Sequence, residues 1–400
     1  MTVSLSEREE TRAARPWARL LALPSGGDHG FRTVLIGIVG LWVLLYALNP
    51  RFLTIGNLSN LLLQIAAVAV LSMGAVIVLL LGEIDLSMGS VSGLCAAVMA
   101  VVNSTLGVPA PLAIVAAILC GVVIGVVHGV VVTRFGVPSF VVTLGGLLTW
   151  QGVQLAVLGE QGNLNITDGF IVSLTSVYVP NWLGWSVTLL AAAYLSASAV
   201  LQQRGRRRSP GQRTSWPKAL LPRIPVVALV LVGGTLLITH RGIPLVVLIV
   251  LAVATLMSYV LTTRKVGRHL YAIGSNAEAA RRAGVRVDRI KVVAFACTAG
   301  LAALGGILAA SRLFAVNQSS GQGSLLLLAI AGAVIGGVSL FGGVGTVWQA
   351  LLGSLLIGSI ANGMDLLSMP SSYRFTVTGA VLVLAVVIDA MARRRAAQRG

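Results

Sequence analysis

The sequence predicts an all-α membrane protein, a polytopic bundle of about twelve transmembrane helices with both termini in the cytoplasm. Three observations lead to this prediction. The mean hydropathy of +0.92, with 56% hydrophobic and 10% charged residues, is too apolar for a soluble core to hide, so lipid must be the solvent for most of the 400-residue chain. The apolar residues form continuous runs, and the basic residues gather in alternate loops between those runs.

The apolar runs define the predicted helices. They are roughly 18 to 24 residues long and continuous, as a helix that crosses lipid requires, whereas barrel strands would alternate apolar and polar residues over about ten positions. A span in lipid must also satisfy its backbone groups internally, which a helix does. The predicted spans lie near residues 32–48, 58–81, 88–102, 111–132, 138–158, 182–201, 224–239, 243–261, 291–311, 324–340, 346–362 and 373–391.

The basic residues set the orientation. With the N-terminus placed inside, 25 of the 29 Lys and Arg residues fall in the inner loops and tails. The outer loops then hold only Arg51, Arg241, Arg312 and Arg374. This bias is the positive-inside pattern, so it supports both the orientation and an even number of spans.

Hydrophilic segments frame a single transmembrane domain at 32–391. Residues 1–31 and 392–400 are predicted cytoplasmic tails. Residues 202–223 form a basic cytoplasmic linker that separates six spans from six, and this linker is either solvated or in contact with lipid headgroups. The longest outer loop, 159–181, either receives an extracytoplasmic partner or holds aromatic anchors at the membrane interface.

The composition argues against several functions. A net charge of +17 would suit nucleic acid, but the charges lie in short loops between apolar spans, so no nucleic-acid partner is predicted. Cys95, Cys120 and Cys297 lie inside apolar runs, with neither disulfide nor metal spacing. The histidines are far apart, and no nucleophile motif or Gly-x-x-x-x-Gly-Lys phosphate loop occurs. No catalytic residue, metal site or cofactor is therefore predicted in this chain; a partner would have to bind any ATP.

Two carboxylates lie in a glycine-flanked break between apolar runs, in the segment LLLGEIDLSMGSVSG at 79–93. Ionisable residues at membrane depth are rare, and transporters use broken helices with polar elbows to line a path. Glu83, Asp85, Ser87 and Gly89 are therefore predicted to line or gate a translocation path. The alternative is a plain turn in which Asp85 or Ser87 caps the helix that follows.

A second glycine-rich break, GGVSLFGGVGT at 336–346, follows the tenth predicted span. Its residues 341–344 are similar in pattern to residues 88–91 of the first break, which hints at an internal repeat. Small residues at every fourth position predict close packing between helices in lipid. Such faces are formed by Gly121, Gly125 and Gly129, and by Gly332 and Gly336.

The strongest motif is the polar loop at 262–290, which lies between two long apolar runs. Eight Lys and Arg residues occur between Arg264 and Lys291. Residues 277–283, AEAARRA, favour a helix, and Gly284 is a natural stop because glycine readily adopts the left-handed backbone at a helix end. The loop is therefore predicted to carry a short helix on the cytoplasmic side.

This helix has the composition of a docking element. A helix held in the cleft of another protein needs small side chains on one side and charges on the other. The small side chains are those of Ala279, Ala280 and Ala283, and the charged ones are those of Glu278, Arg281 and Arg282. Ala280 is expected to face the partner. The residues predicted to contact a soluble partner are Asn276, Glu278, Ala279, Ala280 and Gly284. The alternative is an amphipathic turn that lies on the membrane surface.

The Glu-Ala-Ala-x-x-x-Gly pattern at 278–284 resembles the coupling motif of bacterial ATP-binding-cassette importer permeases, although the usual later Ile-x-Leu-Pro is missing. The string GRHLYAIGSNAEAARRAGVRVDRIK and the element Ile84–Ser90 resemble the monosaccharide branch of that family, which includes ribose, arabinose and xylose permeases. The extra length around the 202–223 linker and the stretch Ser359–Asp389 are similar to the xylose type.

The resemblance implies a multi-pass permease of the plasma membrane that has no ATP site of its own. It implies a second permease copy, in a homodimer, and a cytoplasmic ATPase that binds the ATP. It further implies an extracytoplasmic binding protein that delivers a monosaccharide, xylose or a related pentose. By the same resemblance, residues 278–284 are the coupling helix and residues 83–90 lie on or near the path.

Two other classes stay open beside the importer. A twelve-span secondary transporter would suit the central linker, but the spans hold almost no charge to couple ions and the 262–290 loop has no role there. A membrane-embedded enzyme lacks any nucleophile, base or metal set in this sequence. Dependence of uptake on a separate ATPase in the presence of an uncoupler separates the first two classes.

Overall fold

The structure, a computed structural model, describes residues 28–160, 162–207, 224–373, 375–381, 383–384 and 387. The described chain is helical almost throughout, which confirms the all-α class. Most of the predicted N-terminal tail, the C-terminal tail and linker residues 208–223 lie outside the described residues.

Residues 28–207, as far as the structure describes them, form seven α-helices, and several begin where the sequence dictates. Pro109 and Pro138 directly precede two of them, since a proline lacks an N–H that the start of a helix would leave unpaired. The helices are α1 (Asp28–Leu48), α2 (Ile55–Leu80), α3 (Met88–Ala100, continued by a π-helical turn Val101–Thr105), α4 (Ala110–Phe135), α5 (Ser139–Leu158), α6 (Gly169–Ser176) and α7 (Asn181–Arg207).

Residues 224–366 add seven α-helices, of which two are short and polar and follow one another. Residues 371–373 and 375–381 are also helical. The helices are α8 (Ile224–His240), α9 (Leu245–Thr263), α10 (Lys265–Ser275), α11 (Ala277–Arg282), α12 (Val287–Leu313), α13 (Ser324–Ile335) and α14 (Val347–Leu366).

Within the described residues, seven helices are long and apolar enough to cross a membrane, which agrees with a multi-pass membrane protein; they are α2, α3 with its π-helical turn, α4, α5, α9, α12 and α14. The same part of the chain contains three shorter apolar helices, which cover Val34–Leu48, Val227–His240 and Ser324–Ile335. The predicted count of about twelve spans, and the orientation, stay predictions.

Helix α12 lies at the centre of the bundle, where it packs against α2, α3 and α4. The predicted glycine face of α4 makes this approach possible. A Cβ added at Gly129 would lie 2.6 Å from the Cα of Val292, and one at Gly125 would meet the carbonyl oxygen of Phe295. Backbone therefore meets backbone along this contact, as small-residue faces allow in lipid. The glycine face of α13 packs in the same way, against Gly353 of α14.

The predicted outer loop at 159–181 contains structure that the sequence did not reveal. Strand β1 (Asn163–Asn165) pairs antiparallel with β2 (Ala315–Asn317), which follows α12. Helix α6 then begins after Asp168, whose carboxylate accepts hydrogen bonds from the N–H groups of the first turn. A strand of three residues is too short for a detectable alternation, so the pairing could not be predicted.

Candidate functional site

The break predicted after α2 is present and turns back into the bundle. Helix α2 ends at Leu80, and Gly82 adopts a positive φ of 75°. Met88, the first residue of α3, packs against Gly74, well before the end of α2. Residues 81–87 therefore turn the chain back into the bundle, so that α3 begins beside the turn of α2 that contains Gly74.

The Asp85 carboxylate organises this break. Its Oδ1 accepts hydrogen bonds from the backbone N–H of Ser87 at 2.8 Å and from the Ser87 hydroxyl at 2.6 Å. The carboxylate thus satisfies both donors of Ser87, the residue that precedes α3, but Ser87 itself makes no side-chain cap hydrogen bond to the helix, so the capping alternative stays a prediction. Asp85 is 3% exposed, and burial raises the pKa of its carboxyl above the usual range, although hydrogen bonds from Ser87 act in the opposite direction.

Two aromatic residues extend the Asp85 cluster, and the sequence did not single them out. The hydroxyl of Ser87 lies 3.4 Å from Nδ1 of His128 on α4. The indole of Trp150 on α5 donates to Nε2 of the same imidazole at 2.9 Å. The break is thus tied to two neighbouring helices. Spacing along the chain could not reveal this contact, because the residues come from separate spans.

Glu83 has a different partner. Its carboxylate forms an ion pair with Lys291 in the first turns of α12, and both side chains are largely buried, at 16% and 23% exposed. Lys291 comes directly after the predicted coupling loop. The ion pair therefore connects the first break to the helix that leaves that loop.

The second break, at 336–346, lies directly against the first. The backbone N–H of Gly343 donates to the carbonyl oxygen of Leu80 at 2.9 Å. Gly342 and Gly343 have φ angles of 88° and 73°, which favour glycine because a Cβ is strained there. A Cβ at Gly82 would lie 3.4 Å from the carbonyl oxygen of Phe341. The two breaks that the sequence compared thus meet in space.

The predicted coupling helix is present as α11, and both of its ends form as expected. The side chain of Asn276 accepts the N–H of Ala279 at 2.9 Å. Gly284 adopts a φ of +82°, its N–H donates to the Arg281 carbonyl at 3.0 Å, and the next N–H, that of Val285, reaches the Ala280 carbonyl at 3.1 Å. This pairing is a left-handed C-terminal cap, which confirms the role expected of Gly284.

The direction expected for Ala280 is wrong. Ala280 is 5% exposed and belongs to the hydrophobic core of the bundle, so it faces the chain itself and not a partner. Asn276, Glu278, Ala279 and Gly284 are exposed. A six-residue helix that lies flat on the bundle turns part of its surface inward, and only a small side chain fits there. The sequence alone could not say which alanine this is.

Helix α10 connects α11 to both breaks. A Cβ at Gly274 would meet the carbonyl oxygen of Leu80 and would lie 2.5 Å from the amide nitrogen of Gly343. The hydroxyl of Tyr271 donates to the Gly345 carbonyl at 2.7 Å, and burial raises the pKa of this phenol to about 12. We call the contact among Leu80, Gly274 and Gly343 the glycine junction.

A cavity of about 260 Å³ lies among α2, α3, α12, the segment 317–321 and Leu325 at the start of α13. None of Glu83, Asp85, Ser87 and Gly89 lines it. Gly89 nevertheless borders it, because a Cβ there would lie 2.5 Å from the carbonyl oxygen of Gly321, a lining residue. The polar residues that line the cavity are Gln64, Ser92, Arg312, Asn317, Ser319 and Ser320. Among the described residues, no three His, Cys, Asp or Glu side chains are grouped to hold a metal ion.

Comparisons with known proteins agree on one family. The family described as branched-chain amino acid transport system/permease component matches residues 57–386. The xylose transport system permease protein XylH of Escherichia coli K12 is 35% identical over 395 residues, or 94% of this chain and 97% of XylH. XylH of Haemophilus influenzae is 35% identical over 365 residues, or 87% and 92% of the two chains.

A relative named for a different cargo is also similar. The autoinducer 2 import system permease protein LsrC of Salmonella typhi is 29% identical over 361 residues, or 90% of this chain and 86% of LsrC. No solved structure gives a significant match.

Proposed function

The chain belongs to the permease-component family of the branched-chain amino acid transport system, and on that premise we propose that it is the membrane-spanning subunit of an ATP-driven importer of a monosaccharide. The proposed cargo is xylose or a related pentose. The XylH relatives, similar over almost their whole length, support this cargo. The chain is a transport subunit, and its ATP would be bound by a separate ATPase.

The proposed ATPase contact is the exposed surface of α11. Asn276, Glu278, Ala279 and Gly284 present small and charged groups away from the bundle, and Ala280 anchors the helix to the bundle from below. Glu278 and Arg282 form an exposed ion pair at 3.2 Å, which supports a short helix that has few hydrogen bonds of its own. With this surface cytoplasmic, the extracytoplasmic binding protein would approach the opposite end of the bundle.

The glycine junction is the observation that supports this proposal most directly. Helix α10 leads straight into α11, and the end of α10 presses on Leu80, just before the first break, and on Gly343, inside the second break. Glu83 provides a second link, through Lys291, on the other side of the loop. A displacement of α11 by the ATPase would therefore move Leu80 and Gly343 together. Close backbone contacts without intervening side chains are hardly compressible, so they transmit such a displacement almost in full.

We propose that the first break acts as the gate that this displacement moves. Asp85 and Ser87 keep the start of α3 in a fixed conformation, while Gly89 presses against Gly321 at the edge of the cavity. A shift of the break would separate Gly89 from Gly321 and would open the cavity toward the coupling loop. In this mechanism the two carboxylates position the gate and do not contact the sugar.

Reconstitution tests the proposal. The permease is placed in proteoliposomes with an ATPase and a sugar-binding protein from the same genome, and uptake of radiolabelled D-xylose is measured. We expect uptake that requires ATP, persists with an uncoupler and disappears when the ATPase carries an inactive ATP site. Uptake by the permease alone that an uncoupler abolishes would establish a secondary transporter. ATP-dependent uptake of autoinducer 2 without uptake of D-xylose would overturn the cargo.

A further inference from the structure

The cavity lies in the half of the bundle that is far from the coupling loop. Helix α12 has 27 residues and is therefore about 40 Å long. Its first residue, Val287, follows the coupling loop, whereas Gly306 and Arg312, near its last turns, line the cavity. The cavity therefore lies between the proposed entry side and the gate, where a transported molecule would pass.

The Gln64 side chain is fixed in the cavity wall by polar neighbours. Its Nε2 donates to Oδ2 of Asp365 at 3.4 Å, and its Oε1 accepts from Nδ2 of Asn362 at 3.5 Å. Asn362 is in turn bonded to Asn57 through both amide groups, at 2.8 and 3.1 Å. The two hydrogen bonds of Gln64 are long, whereas those between Asn57 and Asn362 are short. The Gln64 amide is therefore oriented by its neighbours but can exchange them for a ligand.

The segment 317–321 forms the opposite wall and is rigidly held. Oδ1 of Asn317 accepts the N–H and the hydroxyl of Ser319 at 3.0 and 2.8 Å. The buried Gln154 donates from Nε2 to the carbonyl oxygens of Asn317 and Ser320, both at 3.0 Å. Among the described residues, Nδ2 of Asn317 has no hydrogen-bond partner. A donor group is thus presented by a loop that cannot easily move.

The charges in the wall favour a neutral polar ligand. Arg312 lines the cavity, and the carboxylate of Asp365 interacts with it electrostatically. This neighbour offsets the charge of the guanidinium, so an anion would gain little from the site. Planar amide and guanidinium groups donate pairs of hydrogen bonds that match two adjacent hydroxyl groups. Leu63, Ala67 and Ala96 complete the wall with apolar surface, against which the C–H face of a sugar ring can pack.

The cavity is closed on the side of the first break. A Cβ at Gly93 would meet the carbonyl oxygen of Ser320 and would lie 2.6 Å from Oε1 of Gln154. Gly89 and Gly321 approach one another just as closely. A molecule in the cavity is therefore stopped by backbone, directly beside the proposed gate.

We propose that this cavity is a binding subsite for one monosaccharide in transit, in which Gln64, Arg312 and Asn317 donate hydrogen bonds to the sugar hydroxyls. The proposal rests on the proposed function and adds a second point of selection after the binding protein. A volume of about 260 Å³ lies just below the usual range for drug-sized ligands, roughly 300 to 1,000 Å³, which suits a single sugar ring.

Protection from a thiol reagent tests the site without transport. In a background with the native cysteines replaced by serine, Ser319→Cys places a thiol in the cavity wall, and Gln318→Cys places one next to it outside the lining residues. A membrane-impermeant maleimide is applied with increasing D-xylose, with sucrose at equal osmolarity as the control. We expect D-xylose to slow labelling of Ser319→Cys severalfold and to leave Gln318→Cys unchanged. Equal labelling of Ser319→Cys with and without D-xylose would overturn the subsite.

Transport kinetics provide an independent test in the full complex. We expect Gln64→Ala and Asn317→Ala to lower ATP-dependent D-xylose uptake about tenfold, because each removes donors to the sugar. Gln151→Ala on α5, an amide outside the cavity lining, should transport normally. If the wild type imports D-xylose and both cavity variants match it, the subsite is wrong and the importer function stands. If the wild type itself shows no ATP-dependent uptake, the proposed function fails instead.

Discussion

Gly343 donates its backbone N–H to the carbonyl oxygen of Leu80 at 2.9 Å, and this bond joins the second break to the start of the first, although the two are far apart in the sequence. Gly274 lies against both atoms. The three residues come from the end of α2, the end of α10 and the segment before α14. The glycine junction therefore connects the loop that carries the proposed ATPase-binding surface to the two breaks, which precede α3 and α14.

Gly274→Val tests the glycine junction. A side chain at this position would collide with the Leu80 carbonyl and the Gly343 amide, so the breaks must move apart. We expect loss of D-xylose uptake and of sugar-stimulated ATP hydrolysis. Ala272→Val, on the exposed side of the same helix, is the matched control and should retain both activities. Full activity of Gly274→Val would show that the junction does not transmit motion.

The sequence predicted the elements of this site better than their contacts. Composition and continuous apolar runs were enough for an all-α membrane bundle, since lipid allows few other solutions. Gly284 was predictable because a helix stop needs a particular backbone conformation, and it shows φ of +82°. The inward direction of Ala280 was not, because every alanine in AEAARRA looks alike until the helix is placed on the bundle.

The contacts between spans required the structure. Lys291 and His128 carry no local pattern that links them to Glu83 and Ser87, since the partners are separated by whole helices. The same reason hid the cavity, whose walls come from four helices and the segment 317–321. A single sequence shows which residues are polar in an apolar chain, and three-dimensional packing decides which of them meet.

The Glu83–Lys291 ion pair gives a second prediction. Glu83→Gln leaves a largely buried ammonium without its counter-ion, which we expect to lower the free energy of unfolding in detergent by about 1 to 3 kcal/mol and to reduce coupled transport. The exchanged pair, Glu83→Lys with Lys291→Glu, should recover most of the loss. Thermal unfolding and D-xylose uptake are the two measurements. An unchanged Tm and normal uptake in Glu83→Gln would remove this link from the mechanism.

Two variants of Asp85 distinguish a structural role of its carboxylate, as a hydrogen-bond acceptor for Ser87, from direct contact with the cargo. Asp85→Asn keeps an oxygen that can accept the two hydrogen bonds from Ser87, whereas Asp85→Ala removes it. We expect the Asn variant to transport nearly normally and the Ala variant to lose about 1 kcal/mol of stability along with uptake. The measurements are Tm and D-xylose uptake at equal membrane content. Loss of uptake in Asp85→Asn with a normal Tm would instead place the carboxylate charge on the path.

Topology can be tested with reporter fusions. The basic-residue bias predicts that a fusion after Ser275 is cytoplasmic and that one after Gly321 is outside. Ser275 is exposed at the end of α10, and Gly321 follows the far end of α12. A paired phosphatase and fluorescent-protein reporter at each site gives opposite signals for the two compartments. If both sites report the same side, α12 does not span the membrane and the proposed ATPase contact is lost.

Two adjacent alanines on α11 allow the coupling proposal to be tested most sharply. Ala279 is exposed, so Ala279→Trp should leave the permease folded and should block the ATPase by steric conflict. Ala280 is buried, so Ala280→Trp should overpack the contact between α11 and the bundle and lower stability by about 1 to 3 kcal/mol. Co-purification of the ATPase and the Tm of the isolated permease distinguish the two effects. We expect lost co-purification with an unchanged Tm for Ala279→Trp, and a lowered Tm for Ala280→Trp. If Ala279→Trp retains both full assembly and sugar-stimulated ATP hydrolysis, the exposed surface of α11 is not the ATPase contact.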